Sequence, residues 1–321
     1  MTSRSVSLTG ATGFLGRHIA RAFRDAGWHV RAIVRPGTPR AAPPDTEVVE
    51  APLEAGALTA AVHGTGLLVH AAALIRARDE RTFTEVNVGG TRAAVAAANR
   101  TGADLLFVSS LAAAGPGTPA RPVREDDEPR PINAYGRSKL AGERLVREES
   151  RVPWTIVRPS AVYGPGDRGF LPLFRFAVRG RFPLAARPGT AFTLIEAGDL
   201  GRAIVLIAGT PSARAATLFL GHAQPQTAEE IMRALAAVME RPYRPRAVPS
   251  VLLRLAAAGG DLAWRLGWPP PLDSSRYAEL TADGFVCAVD RAEGLVGFRA
   301  ETPLVDGFRR TLSWYRQEGW L

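Results

Sequence analysis

The chain has 321 residues, a formal net charge of +9 and a single cysteine, Cys287. The lone cysteine excludes an internal disulfide, and together with an N-terminus that lacks a signal-peptide pattern it leads us to expect a cytoplasmic protein. The arginines are scattered over the whole length without a basic cluster, which favours compositional bias over nucleic-acid binding.

Strands and helices alternate through the first half of the sequence. Predicted strands cover 6–8, 29–34, 48–51, 67–73, 105–109 and 155–158, and predicted helices cover 17–26, 83–100 and 135–149. This alternation, together with uninterrupted apolar runs inside the strands, is typical of an α/β protein whose parallel sheet is covered by helices on both faces.

Beyond Tyr163 the chain is broken by prolines into short pieces and the alternation is lost. We expect 192–208 to return to the sheet domain, and 227–240 to form a helix that begins with a capping box of Thr227 and Glu230. The predicted sheet domain therefore comprises 1–165 plus about 191–221, and a smaller, interleaved substrate lobe comprises about 166–190 plus 222–321.

Three glycines join the first strand to the first helix. Gly10, Gly13 and Gly16 have the spacing GxxGxxG, which differs from the more familiar GxGxxG but serves the same purpose. Such a loop turns tightly, brings backbone N–H groups close to a pyrophosphate and aims a helix N-terminus at it. The position after the first strand therefore predicts a dinucleotide-binding loop.

Arg35 ends the second strand, where an acidic residue would bind the ribose hydroxyls of NAD. An arginine there favours the 2′-phosphate of NADP, and Arg40 is a second candidate for it. The sequence therefore predicts a preference for NADP(H), with NAD(H) left open because Arg35 can also stack on adenine.

The only lysine of the chain, Lys139, follows Tyr135 by four residues. On a helix this spacing places both side chains on one face. Lysine is a compact cation whose proton affinity responds to its surroundings, so it is suited to favour the phenolate of a neighbouring tyrosine. Ser110 follows the fifth strand, at the sheet edge where ligands bind, and its hydroxyl can donate to a substrate carbonyl.

These segments together resemble the extended short-chain dehydrogenase/reductase family, also called the NAD-dependent epimerase/dehydratase family. The resemblance is carried by Thr9 to Gly16, His70 to Ala73, Asn87 to Thr91, Val108 to Ser110, Tyr135 to Lys139 and Val157 to Gly166. It implies a Rossmann-type doubly wound domain, a bound nicotinamide dinucleotide, and Ser110, Tyr135 and Lys139 as the catalytic set.

The resemblance also implies the residues that contact the cofactor, and a homodimer that pairs helices around 85–100 and 137–150. Asn87 is implied to be a structural helper near the cofactor groove. The expected cofactor contacts are Gly10, Thr12, Gly13, Phe14, Leu15, Gly16, Arg35, Leu53, Ala71, Ala72, Ala73, Tyr135, Lys139, Pro159, Ala161 and Val162.

Departures from the family pattern narrow the activity. Leu111-Ala112 stands where sugar-nucleotide dehydratases have an acid–base pair, and Ser160-Ala161 stands where epimerases often have an aromatic residue and asparagine. The apolar loop 111–114 makes the chain similar to the hydroxysteroid dehydrogenase and dihydroflavonol reductase branches. We therefore expect an oxidoreductase that interconverts a secondary alcohol and a ketone. Its substrate is expected to be a small molecule, and the apolar residues favour an apolar one.

Other functions stay open at this point. A nucleotide-sugar epimerase would share the fold and work through a transient keto intermediate with tightly bound NAD, whereas a non-catalytic scaffold or redox sensor would bind the cofactor alone. The five histidines form no cluster suited to a metal ion. The apolar stretch 251–268 is interrupted by charges and glycines, which argues against membrane insertion, and its polar face is too sparse to favour a helix at a membrane surface.

Overall fold

Seven parallel strands form the central sheet of the computed structural model, which describes residues 4–38, 42–187, 189–268 and 270–321. In chain order the strands of this sheet are β1 (Ser5–Thr9), β2 (His29–Val34), β3 (Glu47–Glu50), β4 (Leu67–His70), β5 (Asp104–Val108), β6 (Trp154–Pro159) and β11 (Ala216–Leu220). Their spatial order is β3-β2-β1-β4-β5-β6-β11, the doubly wound order of a Rossmann-type fold.

Helices cover both faces of this sheet. They are α1 (Phe14–Asp25), α2 (Ala55–Val62), α3 (Glu80–Phe83), α4 (Gly89–Thr101), α5 (Leu111–Ala114), α6 (Ala134–Glu149) and α8 (Ala197–Ala208). One apolar core joins the sheet to α1 and α8, through Ile19, Phe23 and Ile204. A second core on the other face joins it to α2, α4 and α6, through Leu58, Ala94 and Val146. The predicted α/β fold class is confirmed.

The segment 192–208 lies against the main sheet without adding a strand to it. It forms β10 (Leu194–Glu196), which pairs with β7 (Ala161–Tyr163) outside the main sheet, and then helix α8, whose Leu200 and Ile204 lie in the same core as α1. The seventh strand of the main sheet is β11, which pairs with β6. Glu196 caps α8 by accepting from the N–H groups of Gly198 and Asp199.

The remaining elements form a smaller assembly with its own core around Phe174, Leu235, Phe308 and Tyr315. Its helices are α7 (Leu171–Val178), α9 (Ala228–Val238), α10 (Ser250–Arg265), α11 (Ser274–Thr281) and α13 (Leu304–Gln317). Its short strands are β8 (Phe182–Leu184), β9 (Ala191–Phe192), β12 (Gln226–Thr227), β13 (Pro245–Ala247) and β14 (Gly284–Phe285). Helix α12 (Asp290–Val296) instead packs through Ala292 into the core that joins the main sheet to α1 and α8, so this part of the predicted substrate lobe lies with the sheet domain.

Two local features of the helices differ in how well the sequence predicted them. The capping box at α9 is present as predicted, because Thr227 accepts from the N–H of Glu230 and the Glu230 carboxylate accepts from that of Thr227. The predicted helix 83–100 is broken by a π-helical turn, Thr84–Val88, between α3 and α4. Within the described ranges, no helix combines the length and the apolar character needed to cross a membrane.

Candidate active site

The glycine turn between β1 and α1 is closed by tight backbone packing. Gly10 has a φ of +74°, and a Cβ on it would lie 2.8 Å from the backbone nitrogen of Ala72. A Cβ on Gly16 would lie 2.0 Å from the carbonyl oxygen of Gly10. Only glycine allows the turn, the start of α1 and the segment after β4 to approach this closely.

The N-terminus of α1 is open to an anion. Gly13, its N-cap, makes no side-chain capping bond, and the first turn contains no acidic residue. The free N–H groups of Phe14, Leu15 and Gly16 and the positive end of the helix dipole therefore provide a phosphate-binding surface. Arg17 donates to the carbonyl oxygen of Thr12 at 3.2 Å, which holds the loop against the helix.

The segment Ala71-Ala72-Ala73 lies beside this turn and is half-buried. It is anchored at one end by Thr9, whose hydroxyl lies 2.8 Å from Nδ1 of His70 and accepts from the N–H of Ala72 at 3.3 Å. β4 ends at His70, three residues earlier than predicted, because the chain turns there to run along the groove.

Asn87 anchors the other end of this segment. Its Oδ1 accepts from the N–H of Leu74 at 2.7 Å, and its Nδ2 donates to the Leu74 carbonyl at 3.0 Å and to the Ser138 hydroxyl at 2.9 Å. One buried amide thus ties the groove to helix α6, which is the kind of helper role that the family resemblance implies for Asn87.

Tyr135 and Ser110 face each other where two helices begin. Ser110 caps α5 by accepting from the N–H of Ala112 at 3.1 Å, and Asn133 caps α6 by accepting from that of Gly136 at 2.8 Å. Burial raises the pKa of the Tyr135 phenol to about 12, the hydroxyl of Ser110 lowers it, and the carboxylate of Glu279 raises it further.

Lys139 lies one helical turn beyond Tyr135 and is only 2% exposed. Its Nζ is 4.3 Å from the ring centroid of Phe107, and among the described residues no acceptor or carboxylate contacts it. Burial lowers its pKa to about 7, against a smaller opposing effect of Glu143. A buried ammonium without an anionic partner is costly, and it is a mark of a functional site.

Among the protein's own groups, burial has the largest effect on both side chains: it raises the pKa of Tyr135 and lowers that of Lys139, because withdrawal from water disfavours their charged forms. The expectation that Lys139 and a bound nicotinamide ring together favour the phenolate of Tyr135 stays a prediction.

A buried ion pair that the sequence did not predict lies one turn further along α6. Arg158 donates from Nε and Nη2 to the two carboxylate oxygens of Glu143, at 2.8 and 2.7 Å, and Ser109 donates to the same carboxylate at 2.6 Å. Arg147 also contacts Glu143, at 2.9 Å. Tyr135, Lys139 and Glu143 recur every four residues on one helix face, which is the signal that could have revealed this carboxylate.

The other expected cofactor contacts lie along the same edge of the sheet. Arg35 follows β2, is exposed, and makes no side-chain hydrogen bond or ion pair among the described residues. Leu53 packs against Gly90 at the start of α4. Pro159 is buried at the end of β6, whereas Ala161 is exposed and Val162 half-buried on β7. Arg40 lies outside the described residues.

Polar side chains from the smaller assembly also lie close to the start of α6 and to Tyr135. Nδ2 of Asn133 donates to Glu279 on α11 at 2.5 Å, and burial raises the pKa of that carboxyl. Arg276, on the same helix, lies beside Glu279 and Asp167. The surroundings of Tyr135 are therefore not purely apolar, a feature that the sequence did not reveal.

The residues present fit a nicotinamide dinucleotide. The open start of α1 and the glycine turn suit a pyrophosphate, the uncompensated Lys139 suits hydroxyl acceptors, and the unpaired Arg35 suits an anionic group at the far end of the groove. Within the part of the chain that the structure describes, no three His, Cys, Asp or Glu side chains are grouped to bind a metal ion.

Comparisons with known proteins show the family and the fold to which the chain is similar. A model of the NAD-dependent epimerase/dehydratase family matches residues 6–218. A ceramide reductase from Caulobacter vibrioides is 35% identical over 322 aligned residues, which cover 98% of this chain and 96% of that protein. A 3 beta-hydroxysteroid dehydrogenase/Delta 5-->4-isomerase from Mycobacterium tuberculosis is 26% identical and covers 83% of this chain and 78% of its own length.

A solved structure shares the fold at lower identity. MoeE5, in complex with UDP-glucuronic acid and NAD, has a TM-score of 0.76 and 24% identity, covering 98% of this chain and 99% of its own.

Proposed function

Because the chain belongs to the NAD-dependent epimerase/dehydratase family, and is thus an enzyme of the extended short-chain dehydrogenase/reductase type, we propose that it interconverts a ketone and a secondary alcohol with NADP(H) as preferred cofactor and NAD(H) as the alternative. The observation that carries the proposal is Lys139, a buried cation left without a partner, among the described residues, one helical turn from Tyr135. We include in the proposal the catalytic set of Ser110, Tyr135 and Lys139.

The dinucleotide, when bound, supplies the hydride for reduction or accepts it for oxidation. In the reductive direction Tyr135 donates its proton to the carbonyl oxygen, and the raised pKa of the phenol keeps that proton in place until it is needed. Ser110 donates a hydrogen bond to the same oxygen and stabilises the charge that develops there.

Lys139 has a different task in this proposal. Hydrogen bonds from its ammonium to ribose hydroxyls would offset the desolvation that lowers its pKa, so that it stays charged. A charged Lys139 then favours the phenolate form of Tyr135 after proton donation. Phe14, Leu15 and Gly16 would hold the pyrophosphate through their N–H groups, and Arg35 would bind a 2′-phosphate.

For the substrate we propose a ketone with long apolar chains, of the ceramide class. The proposal is supported by the similarity to a ceramide reductase along nearly the whole length of both chains. The amide and hydroxyl groups of such a lipid would find polar partners in Glu279 and Arg276 near Tyr135.

The test is the variant Tyr135→Phe. We expect the rate of NADPH oxidation with an apolar ketone to fall about 10²- to 10⁴-fold, the range for loss of a general acid, while NADPH binding measured by fluorescence is kept. Tyr243→Phe is the matched control, because the Tyr243 hydroxyl has no hydrogen-bond partner among the described residues, and it should keep the wild-type rate.

An unchanged rate in Tyr135→Phe, or no binding of either NADPH or NADH by the wild type, would contradict the proposal. Conversion of a nucleotide sugar without net oxidation of the cofactor would identify an epimerase instead, since an epimerase reuses its cofactor within each turnover.

A further inference from the structure

Helix α10 has an apolar face that points away from the protein. Its buried face consists of Leu253, Ala257 and Gly260, and a Cβ on Gly260 would lie 1.9 Å from the carbonyl oxygen of Leu272. The helix backbone therefore packs directly on the segment before α11. With 3.6 residues per turn, a second set of residues lies on the opposite side of this helix.

That opposite side is occupied by large apolar residues, which together form the outer face of α10. The exposed fractions are Val251 62%, Leu252 56%, Leu255 65%, Leu262 56% and Leu266 65%, and Trp268 just beyond the helix is 72% exposed. These six residues are nearly half of the large exposed apolar side chains among the described residues, and such concentration marks an interaction surface.

Positive charge borders this face. Arg254 and Arg265 lie about three turns apart on one side of the helix, between its buried side and its outer face. Arg246 on β13 and Arg244 just before it are exposed on the segment that leads into α10. Among the described residues, none of these four arginines has a carboxylate within ion-pairing distance, and Arg254 donates to the neutral hydroxyl of Tyr277 at 2.9 Å. An apolar face beside arginines whose charge no carboxylate compensates is suited to an anionic lipid surface.

The same charges disfavour a second copy of the chain as the occupant. A twofold contact brings each patch against itself, so the arginines of two molecules of net charge +9 would face one another. The helices expected to form a dimer, α4 and α6, carry none of the large exposed apolar side chains of the described residues. Neither α10 itself nor any other helix described is able to span a bilayer, so this surface would bind in the plane of the membrane.

The inner side of α10 contacts the loop that follows β4 at the candidate active site. Trp264 on α10 donates to Asp273 at 3.0 Å, and Arg76, from the loop after β4, contacts the same carboxylate at 3.0 Å and lies over the Trp264 ring. Beside Arg76, Ile75 is 70% exposed, so exposed apolar surface occurs on the groove loop as well. A lipid leaving the bilayer at α10 would meet this loop next.

We propose that the outer face of α10, flanked by Arg254 and Arg265, docks the protein on an anionic membrane surface and takes the substrate from it. For its lipid substrate the inference rests on the proposed function, whereas the docking itself rests on the exposed side chains alone.

The experiment is flotation of the purified full chain with vesicles of phosphatidylcholine containing phosphatidylglycerol, compared with phosphatidylcholine alone. We expect wild-type protein to float with the anionic vesicles. Replacing two outer residues by Asn, Leu255→Asn with Leu262→Asn, should weaken partitioning about tenfold or more, which corresponds to about 1.4 kcal/mol. Leu206→Asn, a change of an exposed leucine on α8, is the matched control and should float like wild type.

A double substitution of the flanking arginines tests what their charge contributes to membrane binding. Arg254→Gln with Arg265→Gln should reduce flotation with the anionic vesicles and leave the weaker binding to phosphatidylcholine unchanged. The proposal is overturned if wild type floats with neither vesicle, if the double leucine variant floats like wild type, or if light scattering shows that this variant splits a wild-type dimer.

Reductase activity with a soluble short-chain ketone separates this proposal from the proposed function. The double leucine variant should keep that activity and its melting temperature while losing activity on ketone embedded in vesicles. Vesicle binding without any reductase activity would refute the proposed function and support the docking surface. Activity on the soluble ketone without vesicle binding would refute the docking surface alone.

Discussion

Two cations buried near helix α6 have opposite surroundings. Arg158 is 1% exposed and its guanidinium makes a bidentate contact with Glu143, which Ser109 and Arg147 also contact. Lys139 is 2% exposed and its ammonium lies over an aromatic ring, with no anion beside it among the described residues. Burial alone therefore does not distinguish these two cations. What distinguishes them is whether the fold itself compensates the charge.

The choice of residue follows the same division. A guanidinium stays charged and its planar fork matches a carboxylate, so Arg158 is suited to a permanent ion pair. An ammonium responds to its surroundings, and the pKa of Lys139 is lowered to about 7. The single lysine of the chain is the cation whose charge depends on what binds beside it.

Removing the partner of the paired cation should have the largest effect on stability. In Glu143→Gln the charge of Arg158 stays buried without an anion, and we expect a loss of about 3–5 kcal/mol in the free energy of unfolding, measured with urea. The control is Glu149→Gln, an exposed residue of the same helix whose ion pair with Arg92 spans 3.9 Å. Its loss should be about 0–1 kcal/mol. Equal losses in the two variants would mean that the buried pair contributes no more than a surface pair.

Removing the unpaired cation should change how stability depends on pH. The pKa of Lys139 is about 7 in the folded protein and 10.5 as the ordinary value. The unfolded chain therefore binds more protons between these values, and folding stability rises with pH across that window, by up to about 1.4 kcal/mol per pH unit. Below about pH 7 the full cost of the buried ammonium is present.

Lys139→Met should abolish this contribution, so that without added dinucleotide its stability exceeds that of wild type at pH 7 and the difference shrinks towards pH 10. Urea titrations across this range measure it. Arg144→Met is the control, because it removes an exposed cation from the same helix. Parallel pH profiles for wild type and Lys139→Met would show that Lys139 titrates as an ordinary lysine.

Features set by contacts between near neighbours in the chain could be predicted from the sequence. They include the glycine turn, the positions of Tyr135 and Lys139 on one helix face and the capping box at Thr227. Spacing alone is enough to predict such features. The alternation of strands and helices was likewise enough to predict a parallel sheet covered by helices on both faces.

Features that depend on distant parts of the chain could not be predicted in this way. The carboxylate of Glu143 is shared by Ser109, just after β5, and Arg158 on β6, so the helical spacing that points to Glu143 does not show its partners. The direction of the Lys139 pKa shift depends on Phe107 and the packing around it. For α10 the sequence places apolar residues on two opposite sides of the helix, and only the packing of Leu253, Ala257 and Gly260 shows which of these sides is buried.

The smallest expected effect concerns a third cation, Arg35, which is unpaired among the described residues but lies in water. Leaving it unpaired costs little, so Arg35→Ser should not change stability measurably. If Arg35 binds a 2′-phosphate, NADPH should bind about tenfold more weakly to Arg35→Ser, as for loss of one charged hydrogen bond, while NADH binding is unchanged.

Fluorescence titration at low and high salt measures the affinity for each dinucleotide, and high salt should reduce the difference in NADPH affinity between wild type and Arg35→Ser. Arg21→Ser, at an exposed arginine paired with Asp25, is the control. Equal weakening of both dinucleotides would mean that Arg35 contacts adenine rather than the phosphate.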